Sequence, residues 1–193
     1  MRTTSKSILS SVFAVAFAVL PLFAKNQEKS SASTTPVAPA ASASPEMEKL
    51  KFYLGEWDYT ETYPPSKRFQ SGAKNTGVYV SRPGPGGNSL INEFHSQGPV
   101  GDFSGLLAMT WDPQEKTYKA YFFNNEFPGA VVETGTWEGD NLVYRFAVSM
   151  GPTTVKMRNV THLTADGKLI AEAYSAVGDK PEKLLVTVEA TKR

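Results

Sequence analysis

A regular succession of short strand-like segments constrains the fold of this chain most. Each segment alternates β-branched or aromatic residues with polar ones, and turn pairs such as Gly139-Asp140 and Asp166-Gly167 separate them. No long helical period intervenes, and parallel strands need connections of about a dozen residues or more. The sequence therefore predicts an all-β, antiparallel meander of about ten strands. The predicted strands are residues 56–63, 73–81, 89–96, 103–111, 117–124, 130–138, 141–149, 154–164, 169–176 and 183–191.

Alternation within the segments indicates how the meander closes. In residues 141–150, Leu142, Tyr144 and Phe146 share one face, whereas Arg145 and Ala147 share the other. A meander with one apolar face closes most easily into a barrel, because closure removes exposed strand edges. We therefore expect a closed barrel, with a two-sheet sandwich as the alternative.

The first 24 residues are typical of a secretory signal peptide. Arg2 and Lys6 precede an apolar run over residues 8–24, and Lys25 restores polarity. An uncleaved anchor is the alternative, but the run is at the short end of the ~20 residues that span a bilayer. We expect cleavage after Ala24, export to a periplasmic or secreted location, and no stable membrane insertion afterwards.

Residues 25–45 consist largely of Ser, Ala, Thr and Pro, with no aromatic residue. Such a segment cannot bury enough apolar surface to fold, so we predict a disordered linker followed by one domain over residues 46–193.

The absence of cysteine excludes disulfides. Loss of Arg2 and Lys6 lowers the basic count from 20 to 18 against 19 acids, so the net charge changes from +1 to −1. A near-neutral domain without a basic run has no electrostatic reason to bind nucleic acid.

The start of the predicted domain resembles that of calycin-type barrels. Leu50 and Leu54 lie in a short apolar helix that Gly55 ends, and the motif Gly55-Glu56-Trp57 then opens the first strand. The resemblance implies a lipocalin-like barrel in which a basic residue of the last strand covers Trp57. Lys192 or Arg193 could supply that cation–π contact.

The wider layout, over residues 47–193, resembles a bacterial family known as domain of unknown function 1579. Besides the Gly-x-Trp motif, the matching features are the GTWEGD run at 135–140, Arg158 in a late strand and the closing Lys192-Arg193. This resemblance implies the barrel and favours an inward-pointing Arg158, but it brings no known activity. Heme-binding barrels of the nitrobindin kind open similarly, yet residues 184–193 contain no histidine to ligate heme. We therefore expect no cofactor.

Two histidines, His95 and His162, are the candidates for metal or acid–base chemistry. Glu93 shares a strand face with His95, so a site made of these three side chains is conceivable if two distant strands converge. No short ligand spacing supports it, and we assign neither a metal site nor a catalytic residue.

The barrel interior offers a different site. Arg145 and Arg158 lie in neighbouring strands among apolar residues, and a buried arginine needs a partner. That partner could be Glu133 or Glu172, or the acidic head of a bound amphiphile. Tyrosine hydroxyls would complete the apolar pocket of a small-molecule site, and the candidates are Tyr79, Tyr121, Tyr144 and Tyr174.

The sequence thus predicts ligand binding through Arg158, Arg145, Tyr144, Tyr174 and His95. The leading hypothesis is an exported protein that binds a small apolar or amphipathic molecule in its barrel. Two alternatives remain: an enzyme that uses His95 or His162 as acid–base, and a filled barrel that acts through its surface on another envelope protein.

Overall fold

The structure, a computed structural model, describes residues 43–193, so the predicted signal peptide and most of the predicted linker lie outside it. The described residues form one closed antiparallel barrel in which each strand pairs with the next along the chain. The barrel closes between the first and last strands, from Trp57 opposite Lys192 to Thr62 opposite Thr187. The strands are β1 Gly55–Tyr63, β2 Ala73–Pro83, β3 Ser89–Gln97, β4 Phe103–Asp112, β5 Thr117–Asn124, β6 Val131–Glu138, β7 Asn141–Met150, β8 Thr153–Leu163, β9 Leu169–Val177 and β10 Lys183–Lys192.

The predicted all-β meander and its closure into a barrel are confirmed. Each predicted strand end lies within two residues of the observed one. The hairpin turns form where the sequence predicts them: Gly139 and Gly167 both adopt a positive φ, which glycine accepts without a steric penalty.

A short helical segment closes one end of the barrel, here called the helix end. Helix α1 runs from Pro45 to Glu48, with the Ser44 hydroxyl accepting a hydrogen bond from the Met47 amide, and a 3-10 turn follows at Lys51–Tyr53. Met47, Leu50 and Tyr53 are buried in the barrel core. This segment therefore plugs the barrel, as its apolar pattern predicts.

Trp57 joins the plug to the wall. The indole is buried and donates its Nε1 hydrogen to the carbonyl oxygen of Tyr53 at 2.8 Å. Lys192 Nζ lies 5.6 Å from the centroid of the ring, so the predicted basic cover is Lys192, whereas Arg193 pairs with Asp58. Gly55 has a φ of 120°, and a Cβ there would meet the Lys192 side chain. The Gly-x-Trp motif is thus structural.

The opposite end, here called the loop end, carries the connections 64–72, 98–102, 125–130, 151–152 and 178–182. The connection after β3 is fixed to β2 because the Asn75 side chain donates to the Gly101 carbonyl and accepts from the Val100 amide. No helix among residues 43–193 is long and apolar enough to cross a membrane.

Candidate functional site

A cavity of about 240 Å³ lies inside the barrel, between the plug and the loop end. One side of it is an aromatic wall. Tyr79 is stacked on Trp57 at 5.6 Å between centroids and contacts Phe94 at 5.5 Å, and Phe94 meets Phe122 edge-on at 6.4 Å. These rings come from β1, β2, β3 and β5, so aromatic surface spans about half of the barrel circumference.

The other side of the cavity is more polar and is centred on Glu133 of β6. This side chain is only 4% exposed, and the Asn159 amide donates to its Oε2 atom at 3.3 Å. Burial raises the pKa of Glu133 to about 7, against the opposing effect of the Asn159 hydrogen bond. A carboxyl group with this pKa changes its charge near neutral pH.

A second buried acid, Glu61 of β1, lies nearer the loop end. Its Oε2 atom accepts hydrogen bonds from the Tyr63 hydroxyl at 3.0 Å and from the Ser96 hydroxyl at 3.1 Å. Burial, together with the Glu61 charge, raises the pKa of the adjacent Tyr59 to about 12, although a hydrogen bond with Ser96 opposes the rise. The Tyr59 phenol is therefore neutral and remains a hydrogen-bond donor at physiological pH.

Three buried polar atoms that belong to cavity-lining residues have no hydrogen-bond partner in the described structure. They are the hydroxyls of Tyr79 and Tyr144 and the Oδ1 atom of Asn92. Each of these residues is at most 4% exposed. A buried unsatisfied polar atom costs about 1–3 kcal/mol, so native proteins retain few of them without a specific reason.

The structure places Arg158 on the outer face of the barrel. Its neighbour Asn159 lines the cavity, whereas the Arg158 guanidinium binds Glu182, with 2.7 Å from NH2 to Oε2, and lies 4.2 Å over the Tyr174 ring. The expectation that Arg158 points inward is therefore wrong. The outer face supplies Glu182 and solvent, so this cation avoids the desolvation that an interior position would impose.

Arg145 also faces outward, where it binds Glu138 at 2.5 Å. Tyr174 lies on the same face, and its hydroxyl donates to Glu172 at 2.8 Å. Tyr121 is exposed as well. Among the predicted arginines, tyrosines and histidines, Tyr144 and Tyr79 are the ones that line the cavity.

His95 is exposed on the outer face of β3, where it lines a groove of about 630 Å³. Four strands separate β3 from β8 in either direction around the barrel, so His95 and His162 do not converge. Glu93 instead pairs with Arg82. Residues 43–193 contain no group of three side chains that could hold a metal ion.

Sequence reasoning named Glu133 only as an ion-pair partner for an inward arginine and missed Asn159, because acids in strands are usually solvated. One signal was available in β6, where Glu133 shares its face with Gly135 and Trp137. A Cβ at Gly135 would lie 2.5 Å from the Tyr144 ring, so this face is packed against the interior.

The sequence profile of one family, described as "Protein of unknown function (DUF1579)", matches residues 42–192. No curated protein sequence matches the chain. Among solved structures, the barrel is similar to that of Rv2717c from M. tuberculosis, with a TM-score of 0.54 and 11% sequence identity over 79% of this chain and 99% of that one. At this identity the similarity shows the fold alone. Because the family profile covers well over half of its sequence, the chain belongs to the DUF1579 family.

Proposed function

We propose that this protein is an exported barrel that binds a compact small molecule in its interior. The observation that carries the proposal is the cavity in which the unpartnered Tyr79 and Tyr144 hydroxyls and Asn92 Oδ1 border an aromatic wall. Small-molecule sites combine this kind of apolar lining with a few polar groups that orient the ligand.

The size of the cavity limits the ligand. Pockets for drug-sized molecules usually measure about 300–1,000 Å³, and the barrel cavity has about 240 Å³. A long acyl chain does not fit this space without rearrangement of the wall. The ligand is therefore a short molecule with one aromatic or aliphatic body and a small number of hydrogen-bonding groups.

The unsatisfied atoms favour binding over a barrel that is merely filled. Replacement of each buried tyrosine hydroxyl by hydrogen would remove its desolvation cost and keep the ring packing. Retention of such groups at a cost in stability is common at functional sites.

Export rests on the basic start and apolar run of residues 1–24. Fractionation of the host cells, followed by N-terminal sequencing, tests it directly. The proposal predicts a mature chain that begins near Lys25 outside the cytoplasm, and an intact Met1 in the cytosol contradicts it.

Native mass spectrometry of protein purified from its own host tests ligand binding. We expect an additional bound mass on the wild-type protein, and weaker retention of that mass by Tyr144→Phe and Tyr79→Phe. Tyr174→Phe is the matched control, because it removes a hydroxyl from the outer face. A wild-type protein that carries no small molecule and binds none from a panel of compact aromatic compounds contradicts the proposal.

A further inference from the structure

Within residues 43–193, the ionisable side chains that line the cavity include carboxyl groups but no basic group. Glu61, Glu133 and Glu172 are among the lining residues, the first two only 7% and 4% exposed, and no Lys, Arg or His lines the cavity in the described chain. The two arginines expected there, Arg145 and Arg158, pair with acids on the outer face. An anionic ligand would therefore meet carboxyl groups and no cation.

Resting on the function proposed above, we infer that the barrel selects an organic amine, whose ammonium group binds the Glu133 carboxylate while its apolar body lies against the aromatic wall. Glu133 is the binding residue in this inference, and the Tyr144 hydroxyl lies near the same head group.

Glu133 retains capacity to accept hydrogen bonds. Within residues 43–193, Asn159 is the side chain that hydrogen-bonds it, and this contact uses the Oε2 atom. An ionised carboxylate accepts up to about four hydrogen bonds, and an ammonium group donates three. Charge-assisted hydrogen bonds of this type are roughly twice as strong as neutral ones.

The side chains near Glu133 on the plug, β7 and β8 are uncharged. Burial and, to a lesser extent, the nearby Glu133 charge raise the pKa of Tyr53 in the plug and of Tyr144 in β7, and Asn159 faces Glu133 from β8. Tyr118 of β5 raises the pKa of Tyr144 further. These phenols are neutral, and no cation among residues 43–193 lines the cavity to neutralise Glu133 before a ligand binds.

The aromatic wall is also suited to a cation. The negative faces of Tyr and Phe rings attract ammonium groups with about 0.5–2 kcal/mol, most strongly in desolvated sites. A carboxylate placed against the same rings receives no such attraction. The wall and the acid therefore favour the same charge on the ligand.

Binding of an amine is coupled to ionisation of Glu133. Burial holds the pKa of this carboxyl group at about 7 in the free protein, so most of the population is neutral at pH 6. A primary alkylamine remains protonated up to about pH 10, as lysine does. The affinity for an amine should therefore rise several-fold between pH 6 and pH 8, as Glu133 loses its proton.

Three probes of nearly equal shape test the inference by isothermal titration calorimetry at pH 8: 2-phenylethylamine, 2-phenylethanol and phenylacetate. We expect the wild-type protein to bind the amine at least tenfold more tightly than the alcohol, and phenylacetate most weakly. Glu133→Gln should lower the amine affinity to that of the alcohol, leave alcohol binding intact and abolish the pH dependence. Glu93→Gln, on the outer face, is the matched control, and thermal melts verify that each variant folds.

The outcomes separate this inference from the proposed function. If the alcohol binds but the amine binds no better, or if phenylacetate binds most tightly, the amine selectivity is wrong and binding in the cavity stands. If Glu61→Gln abolishes the preference and Glu133→Gln does not, the assignment to Glu133 is overturned. If none of the three probes binds, the amine selectivity is wrong, and the proposed function is then decided by the native mass spectrum.

Discussion

Substitution of Glu133 by glutamine provides a quantitative test of the cavity without any ligand. The change removes the charge of the buried carboxyl group, keeps its shape and leaves an oxygen that can still accept the Asn159 hydrogen bond. The unfolding free energy of the variant should therefore lack one contribution that depends on pH.

The sign and size of this contribution follow from the pKa. Burial raises the pKa of Glu133 from 4.5 to about 7, so between these values the folded state holds a proton that the unfolded state has lost. The unfolding free energy of the wild-type protein therefore falls as pH rises through this interval. At 1.36 kcal/mol per pH unit the full loss is about 3 kcal/mol, of which about 2.5 kcal/mol falls between pH 5 and pH 8.

Urea denaturation of wild type and Glu133→Gln at pH 5 and pH 8 measures the effect. Relative to wild type, the variant should gain about 2.5 kcal/mol of unfolding free energy between the two pH values. Glu93→Gln is the control, because Glu93 is about half exposed in its pair with Arg82 and should follow the wild-type profile. If the Glu133→Gln and wild-type profiles are parallel within about 0.5 kcal/mol, the carboxyl group is not buried as described, and the inference that it binds an amine loses its basis.

Three further substitutions test the packing and orientation of the wall. Trp57→Ala should lower the unfolding free energy by about 3–5 kcal/mol, the usual cost of truncating a buried Trp, and an unchanged melting temperature contradicts its structural role. Gly135→Ala should cost about 1–3 kcal/mol because the added Cβ overlaps the Tyr144 ring, and a neutral effect in urea denaturation means that this ring can move aside. Arg158→Met should change the unfolding free energy by less than about 1 kcal/mol, since its pair with Glu182 is partly solvated. It should also leave binding of 2-phenylethylamine unchanged, and a tenfold loss of affinity would return Arg158 to the binding site.

The sequence predicted the barrel because local signals agreed with the topology. The alternation of Leu142, Tyr144 and Phe146 identifies the inner face of β7 without reference to any other strand. Turns such as the one at Gly139 fix which strands are neighbours, and an antiparallel meander needs no other information.

The orientation of β8 could not be read from that strand alone. One face carries Arg158 and the other Asn159 and Thr161, so neither is apolar, and the usual hydrophobic criterion gives no answer. The register with β7 resolves it, because Tyr144 lies opposite Asn159 and Arg145 lies opposite Arg158. Residues directly opposite share a face, so the inner position of Tyr144 makes Asn159 inner and Arg158 outer.

The same register places two arginines directly opposite each other on neighbouring strands. Arg145 and Arg158 face each other across β7 and β8, an arrangement that destabilises a sheet when the charges are not compensated. Glu138 binds the first and Glu182 the second, and each acid also acts electrostatically on the other pair's arginine. The positive charge of this region is thus neutralised on the outer surface, while the acid on the other side of the wall, Glu133, has no cationic partner among the described residues.

The hydrogen-bond network around Trp57 and Tyr118 is satisfied, whereas three polar atoms of cavity-lining residues are not. At the helix end the Trp57 indole donates to Tyr53, the Trp137 indole donates to the Tyr118 hydroxyl, and that hydroxyl lies 3.0 Å from two oxygens of Glu46. The cavity beside this network leaves the Tyr144 hydroxyl unpaired. A chain without disulfides depends on its core for stability, and under the proposed function a bound ligand offsets these costs by RT ln(1 + [L]/Kd).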